Sequence, residues 1–181
     1  MKKALLLAAG LLLAVTLPGC GDVSRPPAEK QTVSAAEEAV PAQHEATLVT
    51  YLPDEEGLRV EPHTMKVTAK EKTLKNALFQ LIQLDRAQTY PLLPTGLTVK
   101  SVDVKDGTAV IDLSKEIRKL SVGSTGETLF VAMFVNTATE FPNVKEVRFL
   151  CEGQPLSKLG GHYDMTQAFK RDESMIRMEK K

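Results

Sequence analysis

The side chains in this 181-residue sequence best suited to catalysis or metal binding are three histidines, two cysteines and a scatter of carboxylates. A zinc site needs three or four converging nitrogen, sulfur or oxygen ligands. His44, His63 and His162 stand far apart, with no His-x-x-x-His or Cys-x-x-Cys spacing, so no metal is expected. Cys151 falls at an inward position of an alternating apolar segment, where cysteine serves as a small hydrophobe. Asp112 and Glu116 flank Ser114, and with Asp164 they are the carboxylates a glycan-cleaving pair would draw on. Such enzymes place two carboxyl groups about 5–10 Å apart. The plainer reading is that Asp112-Leu113-Ser114 closes a strand in an Asx or Ser turn and leaves these side chains in water. No catalytic residue and no cofactor is assigned.

The stretch GSTGETLF, Gly123 to Phe130, raises the possibility of a phosphate cradle. A phosphate-binding loop of that kind uses a lysine to reach the phosphates. There is none here, and Glu127 would set a negative charge where the anion must sit. Ser124 and Glu127 instead have the Ser-x-x-Glu spacing of a helix capping box. Glutamate there also favours the positive end of the helix dipole. The stretch, with Gly123 and Gly126, is read as a helix start. Glycan binding through aromatic platforms has little to work with: there is no tryptophan, and most of the six phenylalanines fall at expected core positions, leaving Tyr51, Tyr90 and Tyr163.

The elements that would position these residues follow from pattern. Ala46–Leu52 and Leu58–Val67 are strand-like around a turn-rich Pro-Asp-Glu-Glu-Gly, which predicts an opening hairpin. Leu74, Ala77, Leu78, Leu81 and Ile82 repeat at helical spacing, with Thr73 or Thr68 as N-cap. Val102 and Val104 lead into Asp106-Gly107, and Ala109, Ile111 and Leu113 alternate out of it, the signature of a type I′ hairpin. The opposite parity of Leu97 and Val99 predicts a bulge near Lys100-Ser101. Phe130, Met133, Phe134, Thr137, Ala138 and Phe141 form one helical face across Thr128–Phe141, which Pro142 stops. Val144, Val147, Phe149 and Cys151 outline a last strand. The order β-β-α-β-β-α-β predicts one α+β domain, with two helices packed on one face of a mostly antiparallel or mixed sheet.

Both ends of the chain have a different character. Met1-Lys2-Lys3 precedes an uncharged run from Ala4 to Leu17, the pattern of a secretory signal over residues 1–19 and too short for a comfortable membrane span. The run ends in Leu17-Pro-Gly-Cys20, which resembles the lipobox of bacterial lipoproteins and implies a diacylglyceryl group on Cys20. Two acyl chains give stable anchoring where one is marginal, which predicts residence on the extracytoplasmic face of the membrane. Lipidation of Cys20 leaves only Cys151, so no intrachain disulfide is expected. Residues 20–45 read as a lipidated cysteine with a disordered tether, reaching about 25–30 Å as a coil. Residues 46–169 read as the folded domain, and 170–181 as a charged, frayed tail. Loss of residues 1–19 removes Lys2 and Lys3 and no acid, leaving two more acidic than basic side chains, so nucleic acid is not an expected partner.

Three segments taken together carry a family resemblance: LPTGLTVKSVDVKDGTAVIDLSKEI from Leu93, GSTGETLFVAMFVNTATEFPNVKEVRFLCEG from Gly123, and LGGHYD from Leu159. The chain resembles the GerMN domain of sporulation and spore-germination lipoproteins. The marks are Leu93-Pro-x-Gly96, Val110-Ile-Asp-Leu-Ser114, Gly123, Ser124, Gly126 and Glu127, then Val135-Asn136-Thr137, Glu140-Phe-Pro-x-Val144 and Glu152-Gly153. The resemblance implies a non-catalytic domain similar to ring-building motifs, acting through domain contacts in envelope, sporulation or germination assemblies. Its expected partners are the membrane and another envelope protein or a second copy of itself. Peptidoglycan stays open as an alternative, either as an enzyme's substrate or as a bound ligand.

Overall fold

A computed structural model describes residues 44–161 and 163–177. The signal segment, Cys20 and nearly all of the tether lie outside these described residues, as do His162 and residues 178–181. The chain enters as an antiparallel hairpin, β1 (Glu45–Pro53) and β2 (Val60–Thr68), with Val49 opposite Thr64. Its turn is built on Asp54, whose Oδ1 accepts from the N–H groups of Leu58 at 3.0 Å and Arg59 at 3.2 Å.

Helix α1 (Leu74–Arg86) starts where expected: Thr73 takes an extended conformation and its hydroxyl accepts from the Asn76 N–H at 3.2 Å. Removing that hydroxyl leaves an N–H at the first turn without its cap. Thr73→Ala is expected to cost about 1 kcal/mol, read as a shift in the urea midpoint. The predicted apolar stripe is buried, and Asp85 continues it at the end of the helix.

Strands β3 (Val99–Lys105) and β4 (Thr108–Leu113) form the second hairpin. Asp106 and Gly107 have φ of 53° and 86°, the left-handed pair that a type I′ turn requires. The register shifts between Val99 and Ser101, where the change of parity placed a bulge. A 3-10 turn over Lys115–Lys119, absent from the sequence reading, leads towards helix α2 (Gly123–Thr139). After it β5 (Glu146–Cys151) runs parallel to β4, a pairing only a crossover element can make. Two-residue strands follow: β6 (Gln154–Pro155) and β9 (Phe169–Lys170) both pair with β5, while β7 (Lys158–Leu159) pairs with β8 (Tyr163–Asp164). The result is an α+β fold whose strands divide between the β1–β2 hairpin, a mixed sheet around β4 and β5, and the small β7–β8 hairpin.

Helix α2 is the centre of the core. Of its expected face Phe130, Met133, Phe134, Thr137 and Ala138 are buried, while Phe141 lies past the end of the helix and is half-buried; the rest of the circumference from Leu129 to Ala138 is buried too. The helix touches β1, β2, α1, β5, β8 and β9, so almost no side is left for water. A helix apolar all round is stable only when enclosed in this way. Phe130 and Phe134 stack at 4.6 Å between centroids, and Phe149 of β5 lies 5.6 Å and 6.0 Å from them.

Two expectations are corrected. The tail does not fray over 170–177: Lys170 pairs with Glu146, Ile176 is buried beside Val60, and the Arg177 N–H donates to the Val60 carbonyl at 2.7 Å. An aperiodic charged segment can still dock when its apolar residues, Met175 and Ile176, and its arginines find fixed partners. The capping box of Ser124 and Glu127 does not form, since no side chain caps the start of α2. Gly123, at φ 66°, turns the chain into the helix earlier than the box requires. Ser124 then lies within the first turn, where its carbonyl accepts from the Thr128 hydroxyl at 3.0 Å. Glu127 points into the protein with only 1% of its surface exposed.

Candidate functional site

The residues that mark the motif are spent on the fold. A Cβ on Gly126 would fall 2.4 Å from the Cβ of Val122, so only glycine lets this part of the chain close up. Glu127 packs against Gly160 so tightly that a Cβ there would lie 2.1 Å from its Oε1. Its Oε2 is buried without a hydrogen-bond partner. Asn136 and Thr137, both fully buried, form a clasp. The Thr137 hydroxyl accepts from the Tyr51 N–H at 3.0 Å, tying α2 to β1. Asn136 Nδ2 donates to the Asp172 carbonyl at 3.3 Å, and its Oδ1 accepts from the Asp172 N–H at 3.2 Å, tying α2 to the C-terminal segment.

Arg171 completes the clasp. Its guanidinium donates to the Tyr51 hydroxyl at 2.9 Å and the Asn136 carbonyl at 3.1 Å, and lies 3.0 Å from the Glu140 carboxylate. The Tyr51 hydroxyl donates to the same carboxylate at 2.8 Å. Burial works against the Arg171 charge, yet Glu173, Tyr51 and Glu140 outweigh it and hold the group above its ordinary value. Burial pushes the Tyr51 hydroxyl up, with Arg171 opposing and Glu140 adding to the effect.

The candidate carboxylates of an acid–base pair each serve a separate turn. Asp112 accepts from the Gly153 N–H at 2.9 Å, which pins the Glu152-Gly153 turn. Asp164 accepts from the Thr166 N–H at 2.9 Å and hydroxyl at 2.8 Å. Glu116 is half-buried, and the Ser114 hydroxyl holds its carboxyl below the ordinary range. Cys151 is a buried free thiol on β5. Among the described residues, no group of three or more histidines, cysteines or acids could hold a metal ion.

A groove of about 710 Å³ opens at the turn end of the β1–β2 hairpin. Glu55, Glu56 and Glu61 line it with His63, and Tyr90, 91% exposed, stands in its wall. Asp112, Glu116 and Asp164 do not line it. Two deeper carboxylates do, and both are committed to backbone. Asp85 accepts from the Leu92 N–H at 3.1 Å and the Leu93 N–H at 3.0 Å. Burial raises its carboxyl above the ordinary range against the pull of those donors. For Asp54 the balance is reversed: burial opposes ionisation, but the Leu58 and Arg59 N–H groups and Arg177 outweigh it and hold the carboxyl low.

The depressed Asp54 value sets a pH dependence. The stabilisation from its ionised form is complete above the unfolded carboxylate value, near pH 4, and is lost as pH falls through the lower folded value. Asp54→Asn is therefore expected to flatten the acid limb of the stability profile below about pH 4, measured as denaturant midpoints across pH.

The sequence flagged neither Asp54, Asp85 nor Arg171. Asp85 carried a usable signal, because it sits three and four residues after Ile82 and Leu81 on an otherwise apolar stripe. Arg171 carried none.

The family model described as sporulation and spore germination, Germane, matches residues 49–157, more than half of the chain. The chain belongs to the Germane family. Solved structures are similar to this chain as well. A chain described as "Putative Lipoprotein from Clostridium perfringens" is 27% identical, with 70% of this chain and 87% of that one covered, at a TM-score of 0.50. The tandem GerMN domains of the sporulation protein GerM from Bacillus subtilis are 26% identical over 64% of this chain, at a TM-score of 0.53. This chain spans 42% of that tandem. The first GerMN domain of the same GerM is 24% identical, covering 71% of this chain and 98% of that one at a TM-score of 0.57, and shows a shared fold. Among curated proteins, none matches significantly. The Germane match ends before Arg171, so the clasp joins residues of the matched span to a segment beyond it.

Proposed function

We propose that this Germane-family protein is an extracytoplasmic lipoprotein, anchored through Cys20, whose domain acts without catalysis as an interaction or scaffold module in envelope, sporulation or germination assembly. The observation that carries this reading is the use made of the motif. Asn136 and Thr137 lie buried and engaged with Tyr51 and Asp172, so these two residues of the resemblance specify a shape and leave binding to the surface. The lipobox-like Leu17–Cys20 and the relative described as a lipoprotein support the anchor. No helix among the described residues is long and apolar enough to cross a membrane.

The anchor is tested by fractionation. The wild-type chain is expected in the membrane fraction, carrying metabolically incorporated labelled fatty acid. Cys20→Ser is expected to lose the label and move to the soluble fraction. Retention of label and membrane association by Cys20→Ser would remove Cys20 from the account.

A further inference from the structure

We propose that the end of the domain where the tether enters is a lipid-facing surface that rests on anionic phospholipid; the proposal builds on the membrane anchoring above. The chain arriving from Cys20 joins the fold at His44, whose carbonyl accepts from the Ala69 N–H at 2.9 Å. Around that entry stand Lys66, Lys70, Lys72 and Lys75, all exposed. Lys66 lies 3.9 Å from Glu45, while Lys70, Lys72 and Lys75 have no ion-pair partner among the described residues. The other acid at this end, Glu71, is turned back on the chain, its Oε2 accepting from the Thr68 N–H and hydroxyl at 2.9 Å. One turn along α1 from Lys75, Phe79 leaves 53% of its surface in water. Lysines in excess of acids beside an exposed aromatic ring are the features with which a peripheral surface meets anionic lipid.

The far end of the same hairpin has the opposite sign. Asp54, Glu55, Glu56 and Glu61 gather at the β1–β2 turn; Arg177 pairs with Asp54 and Glu56 and Arg59 stands beside them, which still leaves acids in excess. Nine residues of β1 separate the two ends, about 30 Å at the rise of an extended strand. The chain has equal numbers of basic and acidic side chains, so this polarity is a matter of placement and not of composition. A negative surface attracts the lysine end and repels the acidic one. Charges beyond a Debye length of about 8–10 Å are largely screened, so a docked domain feels the lipid through its lysine end alone. Anchoring at Cys20, only 24 residues before His44 in the chain, holds the domain near the bilayer, where a weak attraction suffices to orient it. The acidic groove with Tyr90 then faces away from the bilayer.

The test uses the mature chain, residues 20–181, carrying Cys20→Ser so that no acyl group contributes. It is mixed with vesicles of phosphatidylcholine alone, or of two parts phosphatidylcholine to one part phosphatidylglycerol. Co-sedimentation is expected with the anionic vesicles only, weakening as salt is raised. The triple variant Lys70→Glu, Lys72→Glu, Lys75→Glu is expected to lower the bound fraction about tenfold or more, and Phe79→Ser about threefold. Acidic residues near the start of α1 suit the helix dipole, so the triple variant should keep the wild-type melting temperature. The corresponding Lys→Gln triple must show the same direction. Equal binding to both vesicle types, or wild-type binding by the triple variants, would overturn the proposal. The anchoring reading fails by a separate result, an unlabelled Cys20 in cells, which the vesicle measurement does not touch.

Discussion

Phe134→Ala is expected to destabilise the domain by about 3–5 kcal/mol, lowering the melting temperature by roughly 10 °C or more. Phe134 is fully buried on α2, stacked on Phe130 and edge-on to Phe149 of β5. Truncation removes a ring from the place where the central helix meets the mixed sheet, and the helix is packed on so many sides that the cavity cannot readily collapse. A loss of this size is a large part of the roughly 5–15 kcal/mol that holds a typical domain folded. The measurement is equilibrium unfolding in urea with Phe134→Leu as comparison. Leucine restores much of the volume, and a smaller loss is expected for it. Equal losses for the two variants would contradict the packing argument.

Arg171→Ala is the second large effect, expected at about 2–4 kcal/mol. The guanidinium joins three parts of the chain: Tyr51 of β1, the Asn136 carbonyl and Glu140 at the end of α2, and Glu173 of the C-terminal segment. Alanine leaves the part-buried Glu140 carboxylate without its cation. It also removes the cation from the face of the Tyr51 ring, where it lies 5.4 Å from the centroid. Arg171→Lys keeps the charge and loses the planar fork that reaches several acceptors at once, so it is expected to recover less than half of the loss. Hydrogen exchange should rise at Asp172 to Arg177 in the alanine variant. Unchanged protection there would mean that the tail is held by Ile176 and Arg177 without the clasp.

What could be read from the sequence was local. The stripe of α1 with its Thr73 cap, and the Asp106-Gly107 turn with the bulge behind it, are set by neighbours a few residues apart, and both were legible. The second helix was legible as buried, but not that it would be buried all round, because that depends on strands and turns from every other part of the chain. Ser124 and Glu127 had the spacing of a capping box, yet spacing cannot reveal that Gly123 starts the helix earlier or that Gly160 makes room for the Glu127 side chain. The C-terminal segment misled for the same reason: its order comes from partners such as Tyr51 and Asp54, more than a hundred residues away. Of the candidate site, the family motif was visible as a pattern of residues, while its work as a clasp between β1, α2 and the tail emerged only once those elements were placed together.

The account's central claim is that a shape built by buried motif residues presents a surface to another envelope protein at the membrane. It is tested most directly by proximity labelling from the lipidated chain in its own cells, followed by reconstitution of the captured protein with the purified full-length chain. The account predicts enrichment of one or a few envelope proteins, lost with Cys20→Ser, at least one of which binds the purified chain directly. Labelling no richer than that of an unrelated lipoprotein, together with turnover of purified peptidoglycan by the chain, would contradict it.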